Sequence, residues 1–549
     1  MKHKLLFDAS VAIPITIGII GHRDAIITED HRNHIKNLFE DIFQNYSDTP
    51  IYFLSQLAEG ADCDIAELFL ETCKKNDGLI VPVPFEVQAY IKTFKNKEHE
   101  QRFNQLISKA KRYFQLAGVP VDDNEQNKFF RKGGKFVADS SIILIVLWDG
   151  RGNDLIGGVA DIVHYKKHGA FSDDDLRNIY ESPAHFIEIR CNRLSKKIME
   201  IHPLKGRLLK QVLNDINIAK ALQNIQKLNK EEIWLKKQRI EESLKNLITE
   251  KDRLDEDSAM LAGYYSLTDR IAIKKQWYYH LSLSALFLLG FVIIVVFEFY
   301  KHLLREPYSL SGVILLVGVA VCISYIAKKK GFHMRFIEAR VLAEALRVQF
   351  FWNMVGLQKN AGQHILRIYE KEYDWIKYIL NAIYGVTFPD LNKWNFTSVK
   401  EYWLESQKSY FEDSVKKVKA TRKKLNNISN IAFYFALTML SLMLIFHRSL
   451  KQAEILDDLI IGTGILFGIF GLLKGYIEKR GYAQIINQRE LMANIFNATL
   501  KRVNHLDSQT AHQIVQTLLH QAGIESLIEN GNWYLIYKDK EPNIEGVGG

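Results

Sequence analysis

The sequence predicts an α/β domain built on a parallel sheet, followed by an all-α membrane region with two transmembrane helical hairpins. Two observations lead to this prediction. Between residues 13 and 190, short apolar runs alternate with stretches of helical spacing, which is the pattern of a parallel sheet covered by helices. Between residues 281 and 477, four runs are nearly free of charge and long enough to cross a bilayer.

The first domain is predicted from short apolar strands separated by helices. The predicted strands are 15–20, 51–55, 79–83, 142–148 and 185–189, and the predicted helices are 29–44, 59–75, 124–138 and 158–167. The charged first ten residues, interrupted by Asp8, do not read as a signal peptide, so we expect this domain to stay on the side of synthesis. We place its end at residue 204.

Residues 205–275 turn polar and rich in Lys, Glu, Asn and Leu, with apolar residues at helical spacing. This pattern predicts a cytoplasmic helical connector with partial coiled-coil character.

Four spans follow, at 281–300, 310–327, 428–446 and 459–477. They define hairpin 1 (276–330), a cytoplasmic helical segment (331–427), hairpin 2 (428–477) and a cytoplasmic C-terminal helical segment (478–549). Within the last segment, residues 533–537 predict a short strand.

Lys and Arg predict the orientation of the hairpins. Basic clusters flank the outer sides of both hairpins, at 274–275, 328–330, 416–424 and 479–480, whereas each intervening loop carries only two basic residues. The positive-inside rule then places both termini in the cytoplasm, in a multi-pass protein of the inner (cytoplasmic) membrane. The same clusters account for much of the net charge of +9 and pI of about 9.0, so we expect no nucleic-acid partner.

The two hairpins look like a duplication. Lys330-Gly331-Phe332 after the first corresponds to Arg480-Gly481-Tyr482 after the second, at an offset of 150 residues, and an amphipathic stretch follows each. In the last span, Gly464, Gly468, Gly471 and Gly475 fall on one helix face, which predicts close approach of another helix.

The chain has four cysteines without C-x-x-C spacing or nearby histidines, so we predict neither a disulfide nor a metal site.

Glycine-bearing turns follow three of the predicted strands. The first strand ends in Gly21-His22-Arg23, the second leads into a turn with Glu59, Gly60 and Asp62, and 142–148 is followed by Asp149-Gly150 and then Gly157, Gly158 and Asp161. The carboxyl ends of parallel strands are where an open sheet binds its ligand, and helix N-termini there favour anions. These eleven residues are therefore the predicted binding site for a nucleotide or another phosphate ligand, and no resident cofactor is predicted.

These motifs give the chain a resemblance to a known group. Residues 13–190 resemble the SLOG superfamily, the Rossmann-like group that includes LOG-type phosphoribohydrolases and DprA-type proteins. The resemblance rests on the turns above, together with Pro82-Val83-Pro84-Phe85, Tyr90, Phe94 and Ala138-Asp139-Ser140. It implies a domain that senses nucleotide-derived signals, as in Thoeris anti-phage effectors and TRPM-type channels. The hairpins are similar to SLATT-type modules, which are proposed to make pores.

The resemblance leaves two functions of different classes open. The first is a homo-oligomeric membrane effector of anti-phage defence by abortive infection. Its SLOG-like domain would bind an ADP-ribose-like or cyclic-nucleotide messenger made by a TIR or nucleotidyltransferase partner. The second is a membrane-anchored nucleotide or NAD hydrolase with Asp161, Glu59 and Arg23 as catalytic residues. The chain departs from the LOG signature Pro-Gly-Gly-x-Gly-Thr-x-x-Glu, since it has Ile156-Gly157-Gly158-Val159-Ala160-Asp161. We therefore expect a sensor more than an enzyme. A third hypothesis, a passive scaffold, predicts neither ligand nor permeability.

Overall fold

The structure is a computed structural model of the chain. It describes residues 12–538 except for 75–76, 153–154, 172–185, 196–207, 236, 246, 249–253, 301–306, 365–369 and 507–510. The chain divides into two compact units. The first comprises Met1–Leu267 and Ala345–Trp394, and the second comprises Thr268–Glu344 and Asn395–Gly549. Each is described by itself.

The first unit is built on a parallel sheet. The strands in the described part of the chain are Ile15–Gly21 (β1), Ala25–Ile26 (β2), Ile51–Leu54 (β3), Gly78–Val83 (β4), Arg112–Gln115 (β5), Ile143–Trp148 (β6), Ile187–Arg190 (β7) and Asn192–Arg193 (β8). Six of them form one sheet in the order β5-β4-β3-β1-β6-β7, and every pair in it is parallel. The two-residue strands β2 and β8 pair separately. The predicted α/β fold with a parallel sheet is confirmed; residue 185 of the last predicted strand lies outside the described residues.

Helices pack on this sheet. They are Glu29–Asn45 (α1), Ala61–Thr72 (α2), Val87–Ile91 (α3), Lys97–Lys109 (α4), Asp123–Ser140 (α5), Val159–His168 (α6), Leu208–Leu213 (α7), Ile216–Trp234 (α8) and Lys237–Lys245 (α9). The strands β1, β3, β4 and β6 are buried along almost their whole length, which explains why they are mostly apolar rather than alternating between apolar and polar residues. Rings of Phe39, Phe53 and Phe69 meet in the core between the sheet and the helices α1 and α2.

The segment predicted as a connector is, up to Leu267, part of the first unit. The amide of Asn229 in α8 accepts a hydrogen bond from the N–H of Ile13 (2.8 Å) and donates to its carbonyl and to Oγ1 of Thr49 (3.0 Å each). Asn229 is buried, so these bonds satisfy a polar group that would otherwise be costly. The helix α8 is therefore fastened to the start of β1.

The remaining helices include the membrane region. They are Glu256–Phe299 (α10), Pro307–Lys330 (α11), Phe332–Met354 (α12), Glu370–Val386 (α13), Phe396–Val399 (α14), Ser406–Ile445 (α15), His447–Gln452 (α16), Leu456–Arg480 (α17), Tyr482–Asn504 (α18) and Ala511–Lys538 (α19). In the described part of the chain, four continuous helical stretches are long and apolar enough to cross a membrane. They include α10, α11, α15 and α17, respectively. This confirms the two predicted hairpins.

The predicted strand at 533–537 is wrong, because these residues lie inside the 28-residue helix α19. Trp533 and Tyr537 are one helical turn apart, and their ring centroids are 5.0 Å apart. Aromatic residues suit a strand by intrinsic preference, but here Tyr534 and Tyr537 are buried positions of a helix and Trp533 is half-buried. Tertiary packing thus overrides local preference.

The structure supports the duplication of the hairpins. Gly331 and Gly481 both have a left-handed backbone (φ 60° and 66°), and each is followed by a helix of 23 residues, α12 or α18. An ion pair also recurs at the offset of 150 residues with its charges exchanged. Arg340 Nη1 lies 3.0 Å from Asp269 Oδ1, and Lys419 Nζ lies 2.5 Å from Glu490 Oε1.

Candidate functional site

A cleft of about 1120 Å³ opens where β1, β3 and the turn before α6 come together in the first unit. In the sheet order, β1 lies between β3 and β6, so the chain runs outward to β5 and then returns to the other side of β1. This makes the edge beside β1 the topological switch point, where open α/β sheets bind ligands. Eight of the predicted residues line the cleft: Gly21, His22, Arg23, Glu59, Gly60, Asp62, Gly157 and Gly158.

The end of β1 is fixed by a small polar network. His22 Nε2 lies 3.2 Å from Asp149 Oδ1, and Arg193 Nη1 lies 3.6 Å from the other oxygen of that carboxylate. Arg193 also donates from Nε to Asp24 Oδ1 at 2.7 Å. Burial and Arg193 lower the pKa of His22, although the hydrogen bond with Asp149 opposes them. His22 is thus a neutral side chain at neutral pH, and both acids are already paired.

Arg23 is different from these neighbours. In the described part of the chain its guanidinium makes no hydrogen bond or ion pair, and its Cζ lies 5.0 Å from the centre of the Phe130 ring. A guanidinium stacked on an aromatic face is attracted to the ring and keeps its five N–H donors for another partner. Arg23 can therefore bind an anion that enters the cleft.

The turn between β3 and α2 holds a buried acid, Asp62. Leu57 and Gly60 have positive φ angles (54° and 76°), and a Cβ on Gly60 would lie 2.7 Å from the carbonyl carbon of Arg23. The buried carboxyl group of Asp62 lies near the backbone amides of Gly21, Ala58 and Gln56, which favour its charged form. Burial nevertheless raises the pKa of Asp62 to about 7, against these amides and the nearby Arg23. Amides that the sequence predicted to face a ligand thus have a carboxyl group of the protein itself beside them.

Another wall of the cleft surrounds Glu59. Its Oε1 accepts the N–H of Lys95 at 2.7 Å, which ties the turn after β3 to the start of α4. Tyr90 and His99 also line the cleft here, and the buried Tyr90 Oη and His99 Nε2 have no hydrogen-bond partner among the described residues. Phe94 packs against both rings, with centroids 5.0 Å and 4.5 Å away. Burial lowers the pKa of His99.

The turn before α6 completes the cleft. Gly157 has a φ of 76° and Gly158 is the N-cap residue, with no side chain capping the helix. Gly158 and Val159 line the cleft, so the first turn of α6 borders it and can bind an anion. The third predicted residue of this turn, Asp161, makes hydrogen bonds within the protein. Its Oδ2 accepts hydrogen bonds from the N–H of Gly157 (2.7 Å) and from Nε of Arg131 (2.8 Å).

Three predicted residues thus stand outside the cleft lining, namely Asp149, Gly150 and Asp161. Asp149 and Asp161 hold cleft residues in place, and the side chain of Arg190 packs over Gly150. Sequence reasoning missed Gln56, Asn127, Phe130 and Arg193, which line the cleft as well. The spacing of Asn127, Phe130 and Gly134 at i, i+3 and i+7 on α5 was the signal that could have found that wall.

In the second unit, the predicted glycine face meets another helix at three of its four positions. A Cβ on Gly464, Gly468 or Gly475 would lie 3.0 Å from Glu298, 2.9 Å from Ile294 and 3.6 Å from Phe287, respectively. A Cβ on Gly471 would meet nothing within 4 Å. Gly464, Gly468 and Gly475 therefore let α17 approach α10 closely.

Comparisons with known proteins do not assign the chain to a family. It matches no protein-family model and no curated protein. The features of the chain that bear on its function are therefore the cleft and the four apolar helices.

Proposed function

We propose that this chain is a membrane effector that binds a nucleotide-derived second messenger in the cleft and responds by opening a pore or disrupting the membrane. The observation that carries the proposal is the unpaired guanidinium of Arg23, held over Phe130 in the same cleft as the uncapped N-terminus of α6. An arginine fork and a helix N-terminus are the two groups that proteins use most readily for phosphate. The cleft is also large enough for a dinucleotide-sized ligand.

The membrane half of the proposal is supported by the four apolar helices of the same chain. The chain passes between the two units within the helices α10 and α12, at residues 267–268 and 344–345. A ligand shifts an equilibrium only by its preference for one state, so the messenger must favour the open arrangement of a homo-oligomer. The resemblance to SLOG and SLATT proteins supports extending the proposal to anti-phage defence, with a separate TIR or nucleotidyltransferase protein as the source of the signal.

Binding is tested at the two predicted phosphate contacts. We expect Arg23→Ala to weaken binding of the messenger at least tenfold, since a hydrogen bond to a charged group contributes about 1.5–3 kcal/mol. Gly158→Glu should abolish binding, because it puts a carboxylate at the N-terminus of α6. Isothermal titration calorimetry of the full chain with ADP-ribose derivatives and cyclic nucleotides measures both effects.

The matched control is Arg32→Ala, which removes the same charge from α1 at a residue that does not line the cleft. It should bind like wild type. Affinity that is unchanged in both cleft variants would refute the site. A membrane-potential dye then tests the effector: cells expressing wild type should depolarise when the messenger is produced, and cells expressing Arg23→Ala should not.

A hydrolase is the alternative, and one observation favours it. Two buried carboxyl groups, Glu59 and Asp62, line the cleft, and a pKa of about 7 for Asp62 suits a general acid. Because Asp161 is bound to Arg131 and Gly157, Glu59 and Asp62 would be the acids of this reaction. Chromatography of NAD and nucleotides incubated with purified protein separates the two functions: turnover that Glu59→Gln removes would make the hydrolase the better explanation.

A further inference from the structure

A second cavity, of about 330 Å³, lies in the second unit, between α15 and α18. Three basic residues and two amides of α15 line it, with one apolar residue of α18: Lys419, Arg422, Lys423, Asn426, Asn427 and Ile486. No acidic residue lines this cavity. Neither the cleft nor the proposed signalling function uses it.

The cavity lies at the boundary between the charged and the apolar part of α15. The residue after Asn427 is Ile428, where the apolar span begins, and the span then exposes Ile428, Ile431 and Tyr434 (43%, 68% and 65%). Large apolar side chains at such exposure are stable when lipid covers them. The cavity is therefore placed at the depth of the lipid head groups.

The charges around the cavity are only partly neutralised. Lys419 pairs with Glu490 at 2.5 Å. Arg422 and Lys423 make no hydrogen bond or ion pair within the described residues, and the amide of Asn426 is held in place by Lys474 Nζ at 3.1 Å. Two unpaired cations next to amide donors form a site for an anion with several oxygens, such as a phosphodiester.

The duplication shows that this charge is not a general feature of the hairpins. The residues 150 positions before Lys419, Arg422 and Lys423 are Asp269, Ala272 and Ile273. On α10, the positions that correspond to the three cavity cations are therefore not basic, although Lys274 and Lys275 follow them directly. The set of charges that lines the cavity is a feature of the second hairpin.

We propose that this cavity binds the phosphate of an anionic phospholipid head group. The cations and amides hold the phosphate, and the acyl chains run along the exposed apolar face that begins at Ile428. Juxtamembrane Lys and Arg attract anionic lipid by about 1 kcal/mol each, which corresponds to roughly fivefold in affinity per residue. Free inorganic phosphate offers the same oxygens without the chains, so it distinguishes a lipid site from a site for a soluble anion.

The test is native mass spectrometry of the full-length protein in detergent with short-chain phosphatidylglycerol or phosphatidylcholine. Wild type should prefer phosphatidylglycerol. The double variant Arg422→Ala/Lys423→Ala should lose about 25-fold in affinity for it. Lys328→Ala/Lys330→Ala removes the same charge from the exposed end of α11, so it measures the diffuse attraction alone and should lose much less affinity than the cavity variant.

A second variant separates a built site from diffuse attraction. Asn427→Leu keeps every charge but fills the cavity, so it should also lose the bound phosphatidylglycerol. The proposal would be overturned if either cavity variant preferred phosphatidylglycerol as strongly as wild type does. It would also be overturned if the α11 control lost as much affinity for phosphatidylglycerol as the cavity variants. Competition by inorganic phosphate at the same concentration as the lipid would show a soluble-anion site and would overturn it as well. A thermal melt that matches wild type shows that a variant is folded.

Discussion

The carboxyl group of Asp62 explains why single residues of the site were hard to assign from sequence. The glycines of the turns around it were predicted, because tight turns at strand ends need them. The role of Asp62 was not predictable, because an acid in such a turn can face a ligand or bind the loop's own amides, and the sequence is the same in both cases. In the structure it is buried near three backbone amides of the turns around it. The position of Arg23 in the cleft was predictable because it follows the carboxyl end of a strand in a parallel sheet.

Asp62 also gives the first unit a pH dependence. Its pKa rises from 3.8 to about 7 on folding, so the folded state holds a proton that the unfolded chain releases. Stability from this group is full below about pH 4 and is lost as the pH rises through 7. Between pH 5 and pH 8, we expect wild type to lose roughly 2–3 kcal/mol from this group, and Asp62→Asn to lose none of it.

Denaturant unfolding of the full chain at the two pH values, followed by tryptophan fluorescence, measures this difference. Asp48→Asn is the control, because Asp48 is an exposed acid and its replacement should leave the pH dependence as in wild type. The assignment of the pH dependence to Asp62 is wrong if Asp62→Asn and wild type lose the same amount.

At the scale of elements, four of the five strands that the sequence predicted, β1, β3, β4 and β6, are buried along almost their whole length. Such strands are mostly apolar, as in β6, where all six residues are buried. The fifth, β7, lies at one edge of the sheet and alternates between buried and half-buried residues. The strand β5 at the other edge was missed, because its residues Arg112–Gln115 alternate between half-buried and exposed. The helix α4 was missed as well, because only three of its 13 residues are buried and its sequence reads as a polar loop.

The packing of α17 against α10 leads to a prediction for one glycine. Because a Cβ on Gly468 would already lie 2.9 Å from Ile294, Gly468→Leu cannot fit without separating the two helices. We expect this variant to depolarise cells without any trigger, since the closed arrangement is lost. A membrane-potential dye measures this leak at matched levels of protein in the membrane.

Gly471→Leu is the matched control, because the same side chain placed one turn along the helix meets nothing within 4 Å. It should leave the resting potential unchanged. Equal resting potentials for Gly468→Leu and wild type would mean that α17 does not hold the closed state.

At the scale of the whole molecule, hydropathy predicted the four spans, because a helix in lipid must be apolar for about 20 residues. The division into units was not predictable in the same way. The segment Ala345–Trp394 lies between the hairpins in sequence but belongs to the first unit. There the ring of Phe388 stacks on Phe114 of β5 at 4.8 Å, and Arg112 donates to the carbonyl of Phe388 at 2.5 Å. Such contacts join residues more than 270 positions apart, which no local pattern reveals.

Membrane orientation is the remaining prediction at this scale, and it follows from charge. The basic residues at the ends of α11 and α17 and along the first half of α15 lie on the side that the positive-inside rule assigns to the cytoplasm. In a chain with all four cysteines replaced by serine, a cysteine at Gln452 or Ser309 should react with an impermeant maleimide added to intact cells. A cysteine at Ser406, which is exposed at the start of α15, should react only after permeabilisation. The opposite labelling pattern would invert the orientation and place the cleft outside the cytoplasm, where a messenger made inside the cell could not reach Arg23.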